Sequence, residues 1–167
     1  MDALAGLSVK RGRFTGRLLY LSDPNYYHMK KYLLFCLLLF ASCFALAQDR
    51  QAILKVLETQ RQDWNRGDLD SFMKSYWKSD SLMFIGKTAP TYGWQPTLDH
   101  YKQSYPDKAT MGYLDFNILK VSVLDKTNAF VLGGWHLKRD KGDIGGYFTL
   151  WFKKIEGKWV IVCDHTS

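Results

Sequence analysis

Four runs of strand-like character, joined by short polar turns, occupy the last third of this 167-residue chain. Tyr113 to Leu124 is the first, and Asp125-Lys126-Thr127-Asn128 turns out of it. Ala129 to Arg139 and Ile144 to Lys154 follow, separated by Asp140-Lys141-Gly142-Asp143. Glu156-Gly157 then leads into Trp159-Val160-Ile161-Val162-Cys163, which stops on Asp164-His165-Thr166-Ser167. Strands this close in sequence pair antiparallel, because a parallel return needs a crossover of a dozen or more residues. The C-terminal part of the chain is therefore an antiparallel meander.

Ahead of the meander, apolar residues recur at helical spacing. Ile53, Leu54, Leu57 and Trp64 form one face of a helix from Gln48 to Asn65, and Gly67 suits the position just past its end. Asp68 caps a shorter helix with Leu69, Phe72, Met73, Tyr76 and Trp77 along one face. Leu82 to Gly86 reads as a strand, Pro90 and Gly93-Trp94 bracket a loop, and Thr97 to Tyr105 is a third helix closed by Pro106. Helices followed by an antiparallel sheet make an α+β layout. Gly133-Gly134 lies within one strand and Gly145-Gly146 opens the next, and glycines there mark bulges or bends. Paired bends curl the sheet around the helices into a cone with an internal pocket, a concave site of the kind that binds small molecules. No linker divides residues 48–167, which are taken as one domain.

The N-terminal part has a different character. Met29-Lys30-Lys31 precedes the apolar run Tyr32 to Phe40, and Ala45-Leu46-Ala47 follows. A basic start, an apolar centre and an Ala-x-Ala site make a secretory signal peptide at 29–47, too short for a membrane span of about 20 apolar residues. The expected location is exported, periplasmic or secreted. Phe40-Ala41-Ser42-Cys43 resembles a lipobox with an atypical aromatic first position, so lipidation of Cys43, and with it a membrane, is the alternative. A signal that begins at an internal Met-Lys-Lys implies that residues 1–28 are either an over-extended, disordered start or a long basic extension.

Removing residues 1–47, with six basic and two acidic side chains, lowers the net charge from +7 to +3. Interspersed charges at +3 give no basic stripe, which argues against nucleic acid as a partner. Only Cys163 remains beyond the signal, so the fold rests on its core rather than on a disulfide. There is no His-x-His, His-Glu-x-x-His or Cys-x-x-Cys, and neither a metal site nor a cofactor is expected.

Taken together, Trp64-Asn65-Arg66-Gly67-Asp68-Leu69-Asp70, Tyr76-Trp77, Ser79-Asp80-Ser81-Leu82, Gly93-Trp94, Tyr101-Lys102, Gly134-Trp135 and Gly157-Lys158-Trp159 through Ser167 resemble the nuclear transport factor 2-like superfamily, the cystatin-like α+β cone. Within it the chain is most similar to SnoaL-like proteins and the domain of unknown function 4440. The resemblance covers nearly all of residues 50–167. It implies a homodimer packed through the outer face of the sheet. It also implies a choice among isomerases, cyclases, dehydratases and members that only bind or assemble, which fold alone does not make.

His165 is the leading candidate for acid–base chemistry, because imidazole titrates near neutral pH. Asp164 and Asp80 are the carboxylates that would assist it. Adjacent strand residues point to opposite faces, so Asp164 and His165 enter one cavity only if a bulge intervenes. On that ground His165 is expected in the pocket and Asp164 at the strand end. His136 is expected to face away from Trp135, and His100 and Lys102 to lie on a solvated helix. Trp77, Tyr92, Trp94, Tyr113 and Trp135 are expected to line the pocket around a small organic ligand. The sequence thus supports a small-molecule enzyme using His165, a non-catalytic binding module, or an accessory dimer whose cone is filled by its own side chains.

Overall fold

The computed structural model describes the backbone of residues 24–167 and their side chains, except those of 24, 25 and 38–45. The expectation for residues 1–28 falls largely outside the described residues, and the side chain of Cys43 does so entirely. The chain divides into two compact units with the boundary after Cys43. Helix α1 is continuous from Pro24 to Arg66, longer than the Gln48–Asn65 helix the spacing predicts. Among the described residues no helix is long and apolar enough to cross a membrane.

In the second unit, α1 turns Ile53, Leu57, Gln60 and Trp64 into the core at three- and four-residue intervals. The Trp64-to-Asp68 run is a junction in which three side chains fix the turn. The indole of Trp64 donates to the Met111 carbonyl at 3.3 Å. Asn65 binds both backbone groups of Leu114, donating at 2.9 Å and accepting at 2.7 Å, and so ties α1 to the sheet. Asp68 accepts from the Ser71 amide at 2.9 Å and caps α2, Leu69–Phe72. A 3₁₀ turn, Met73–Ser75, then releases the chain into extended geometry at Tyr76. Two short strands, β1 (Met83–Ile85) and β2 (Pro90–Tyr92), and two helices, α3 (Trp94–Ser104) and α4 (Lys108–Met111), complete the first half of the unit. Neither β2 nor α4 is evident in the sequence pattern, because each is only three or four residues long.

The long strands are β3 (Tyr113–Val123), β4 (Asn128–Lys138), β5 (Ile144–Ile155) and β6 (Lys158–Thr166). They pair antiparallel in sequence order, and the full sheet runs β2-β1-β6-β5-β4-β3. The sheet is mixed rather than wholly antiparallel, because β1 lies parallel to β6. The crossover between them holds α3, α4 and three long strands, which supplies the length a parallel pair needs. Glu156 and Gly157 both have positive φ, 50° and 76°, as the tight two-residue hairpin between β5 and β6 requires.

Ala129, Val131 and Leu137 of β4, and Phe148, Leu150 and Phe152 of β5, alternate inward onto α1. The register is broken at two places. Leu119 is extra between Ile118 and Lys120 on β3, and Val162 is extra on β6, where Trp151 pairs with Cys163 but Phe152 pairs with Ile161. The β3 bulge lies across from the Leu132–Gly133 step, and the β6 bulge lies away from both glycine pairs. Gly133 also serves close packing: a Cβ there would collide with the Phe148 ring on the neighbouring strand.

Candidate functional site

Between the sheet and the C-terminal half of the α1 segment in this unit lies a cavity of about 440 Å³. Trp64, Phe72, Phe84, Phe116 and Phe148 wall it, and the exposed Lys87, His100, Ser104 and Ile144 mark its mouth. Asp164 sits inside it at 5% exposure. A wider depression of about 780 Å³ lies on another side of the unit, lined by Asp49, Asp63, Lys74, Lys154 and Trp159. Its acids are already engaged. Asp49 accepts from Lys154 at 2.7 Å and from the Trp159 indole at 3.0 Å, and Asp63 pairs with Arg66.

The smaller cavity has the opposite character. Among the described residues, three buried side-chain polar atoms lack a hydrogen-bond partner: Gln60 Nε2, Trp135 Nε1 and Asp164 Oδ1. All three belong to residues lining this cavity. Asp164 Oδ2 is occupied, accepting from the Tyr76 hydroxyl at 2.6 Å. That hydroxyl lies 3.4 Å from the hydroxyl of Tyr101. No Lys, Arg or His among the described residues pairs with Asp164. Burial without a counter-cation pushes the Asp164 carboxyl up to about 7, with the Tyr76 bond pulling partly the other way. Burial, and then the charge of Asp164, holds the Tyr76 and Tyr101 hydroxyls well above the ordinary phenol range. The result is a carboxyl that exchanges its proton near neutral pH, backed by two hydroxyls that stay protonated.

The bulge at Val162 decides which terminal residue enters the cavity. Stepping by twos from Trp159 and Ile161 would turn Cys163 and His165 inward. The extra residue moves the parity by one, so Asp164 and Thr166 line the cavity and His165 is exposed. The expectation that His165 is the pocket residue and Asp164 the outer anchor is therefore reversed. Cys163 is half-buried, and burial first, then the nearby Asp164, raises its thiol, which keeps it protonated and a poor nucleophile.

Of the aromatics expected at the pocket, Trp135 lines the cavity. Trp77 does not, because Tyr76 takes the inward position as its backbone bridges Ile161. Tyr92 is 63% exposed on the short strand β2, and Tyr113 is 53% exposed with its hydroxyl receiving Arg61 at 2.8 Å. Trp94 docks α3 by donating to the Met73 carbonyl at 2.9 Å. Asp80 is exposed in a turn, away from the cavity. His136 faces out and pairs with Asp143 at 3.3 Å, and Lys102 pairs with Asp70 at 2.9 Å in solvent. Tyr76, Tyr101 and Gln60 are the inward polar residues the sequence reading missed as site residues. Tyr76 continues the Leu69-Phe72-Met73 spacing, which is the signal that could have found it. Among the described residues, no three His, Cys, Asp or Glu side chains gather as a metal site would need.

An α+β cone with a buried acid, Asp164, on an aromatic-walled cavity defines the class of protein. No family model and no curated protein matches the sequence. Among solved structures, an NTF-2 like protein of unknown function from Shewanella oneidensis MR-1 is 44% identical, with 70% of this chain and 97% of that one covered and a TM-score of 0.68. The chain belongs to the NTF2-like family. A domain of unknown function with a cystatin-like fold from Nostoc punctiforme PCC 73102 is 17% identical over 72% of this chain and 76% of that one, with a TM-score of 0.61. A ketosteroid isomerase-like protein from Erwinia carotovora atroseptica is 15% identical over 70% and 94%, with a TM-score of 0.53. At such identities these two likenesses speak to the fold alone.

Proposed function

We propose that the protein binds a small organic molecule in the aromatic-walled cavity and exchanges a proton with it through Asp164. One observation carries this reading: a carboxyl at 5% exposure keeps one oxygen unpartnered and lines a cavity open to solvent. A buried carboxyl without a cation is unfavourable for the fold on its own, so its presence on a cavity supports a role toward a ligand. With its proton exchanging near pH 7, Asp164 has the acidity that general acid–base chemistry of the isomerase, cyclase or dehydratase kind uses. The Tyr76 and Tyr101 hydroxyls orient it.

A second reading, binding without turnover, draws support from the outward turn of His165, which leaves Asp164, among the described residues, without a second acid or base deep in the cavity. Mass spectrometry of molecules that survive purification, with thermal-shift screening of small ring compounds, tests the proposal. Bound ligands should raise the melting temperature, and Asp164→Asn should weaken them by about tenfold or more. Chemical conversion of the bound molecule separates the two readings. If no compound stabilises the fold, or Asp164→Asn binds as the native chain does, the proposal fails.

The protein is further proposed to be exported by the 29–47 signal and to form a homodimer. Exposed Tyr32, Leu33, Leu34, Phe35 and Leu37 on one helical segment support a processed leader. The exposed cross-strand pair Phe130 and Trp151, on the sheet face opposite the inward Val131 and Leu150, supports the dimer.

A further inference from the structure

The three unpartnered polar atoms are not gathered at one point. Asp164 on β6 pairs in register with Leu150 on β5, and Leu150 with Val131 on β4. Trp135 stands four residues further along β4, opposite Gly146. At about 4.8 Å between strands and about 3.3 Å per residue, the Cα positions of Asp164 and Trp135 lie roughly 16 Å apart. Both side chains reach into the same cavity from these positions, so their polar atoms stand well apart. A ligand with one polar group can meet one end only. It would leave the other as a buried polar atom without a partner.

The chemistry of the two ends differs. An indole N–H donates and never accepts, so Trp135 Nε1 calls for an acceptor. Gln60 Nε2, on α1 one turn before Trp64, is a second donor on the same cavity. Asp164 Oδ1 accepts when ionised and donates when protonated, so it takes a hydroxyl or a carbonyl. The rings of Trp64, Phe116 and Phe148 line the same cavity. Gly146 makes room first for the chain end and then for the indole: a Cβ there would collide with the Ser167 carbonyl oxygen and stand 3.1 Å from Trp135 Nε1.

Resting on the cavity reading above, we infer that the occupant is an uncharged ring compound oxygenated at both ends, one oxygen meeting Asp164 and the other the indole N–H of Trp135. Trp135 is then a specificity-determining residue that selects two-ended over one-ended molecules.

The test uses the full chain and matched probes: phenol with hydroquinone, 2-naphthol with 2,6-dihydroxynaphthalene, and 2-hydroxyfluorene with 2,7-dihydroxyfluorene. Isothermal titration should show the diol binding at least about fivefold tighter than its mono-ol on the best-fitting frame, the worth of one added hydrogen bond. In Trp135→Phe that advantage should vanish, and a cooperative thermal melt near the native temperature certifies the fold of the variant. In the unaltered chain, the Trp135 indole N–H resonance should move with the diol and not with the mono-ol. Equal affinities within every pair, or an advantage that survives Trp135→Phe, would overturn the inference and leave the cavity reading standing. Failure of every probe to bind would overturn both.

Discussion

Asp164→Asn should change how stability depends on pH, in a direction opposite to that of most acids. The native carboxyl titrates at about 7, against 3.8 for the unperturbed group, so between those values the folded state holds a proton that the unfolded state has lost. Stability from this group is complete below the unfolded value and drains away as pH rises through the folded one. The shift of about three pH units corresponds to roughly 4 kcal/mol across the whole range, of which about 2.6 kcal/mol falls between pH 5 and pH 8. Asp49 and Glu58, held low by Lys154 and Arg61 respectively, act oppositely, but their stabilisation is present above their unfolded values and is lost only in acid. An asparagine keeps the shape and a partner for Tyr76 but does not titrate. Urea unfolding of both proteins at several pH values between 5 and 8 gives the difference directly, and it cancels the groups they share. The native chain should lose about 2.6 kcal/mol relative to the variant, a midpoint change of about 1–2 M for an ordinary urea slope. Adding Tyr76→Phe removes the bond that lowers the carboxyl, and should push the native drop to still higher pH. Parallel stability profiles for the native chain and the Asp164→Asn variant would refute the reasoning, as would a native chain that gains on the variant with rising pH.

Gly133→Ala tests the close approach of β4 and β5. With Phe148 within 2.4 Å of the new methyl, thermal melting should report a loss of about 1–3 kcal/mol, and an unchanged melt would show that the ring yields freely. Trp151→Glu tests the proposed dimer. Sedimentation velocity should show a native dimer and a variant monomer that melts near the native temperature once dissociation is accounted for, because Trp151 is 46% exposed and its indole bond to Asn128 lies at the surface. A native chain that already sediments as a monomer would dispose of the dimer.

The sheet was legible because its signals are local. Four runs with polar turns between them fix antiparallel neighbours, and the observed strands depart from the expected ends by a few residues. The parallel placement of β1 beside β6 was hidden, since a three-residue strand carries no pattern that names a distant partner. Trp135 was legible as an inward aromatic on a strand of known period. The polar end of the cavity was not. Asp164 and His165 are adjacent, strand alternation says only that they part, and the extra residue at Val162 that chooses between them leaves no trace in composition. Tyr101 was masked for a related reason: α3 is a short polar helix, and its inward residue is recognisable only once Trp64, Phe72 and Phe84 are seen around it.

The Asn65 side chain, hydrogen-bonded to both backbone groups of Leu114, occupies the position that one more strand would take on the free side of β3. A sheet edge left bare is a template on which other chains can grow. By filling one rung with a single amide, the helix junction interrupts that template at the cavity end of β3, so the residue that holds the cone together also guards its rim against disordered association.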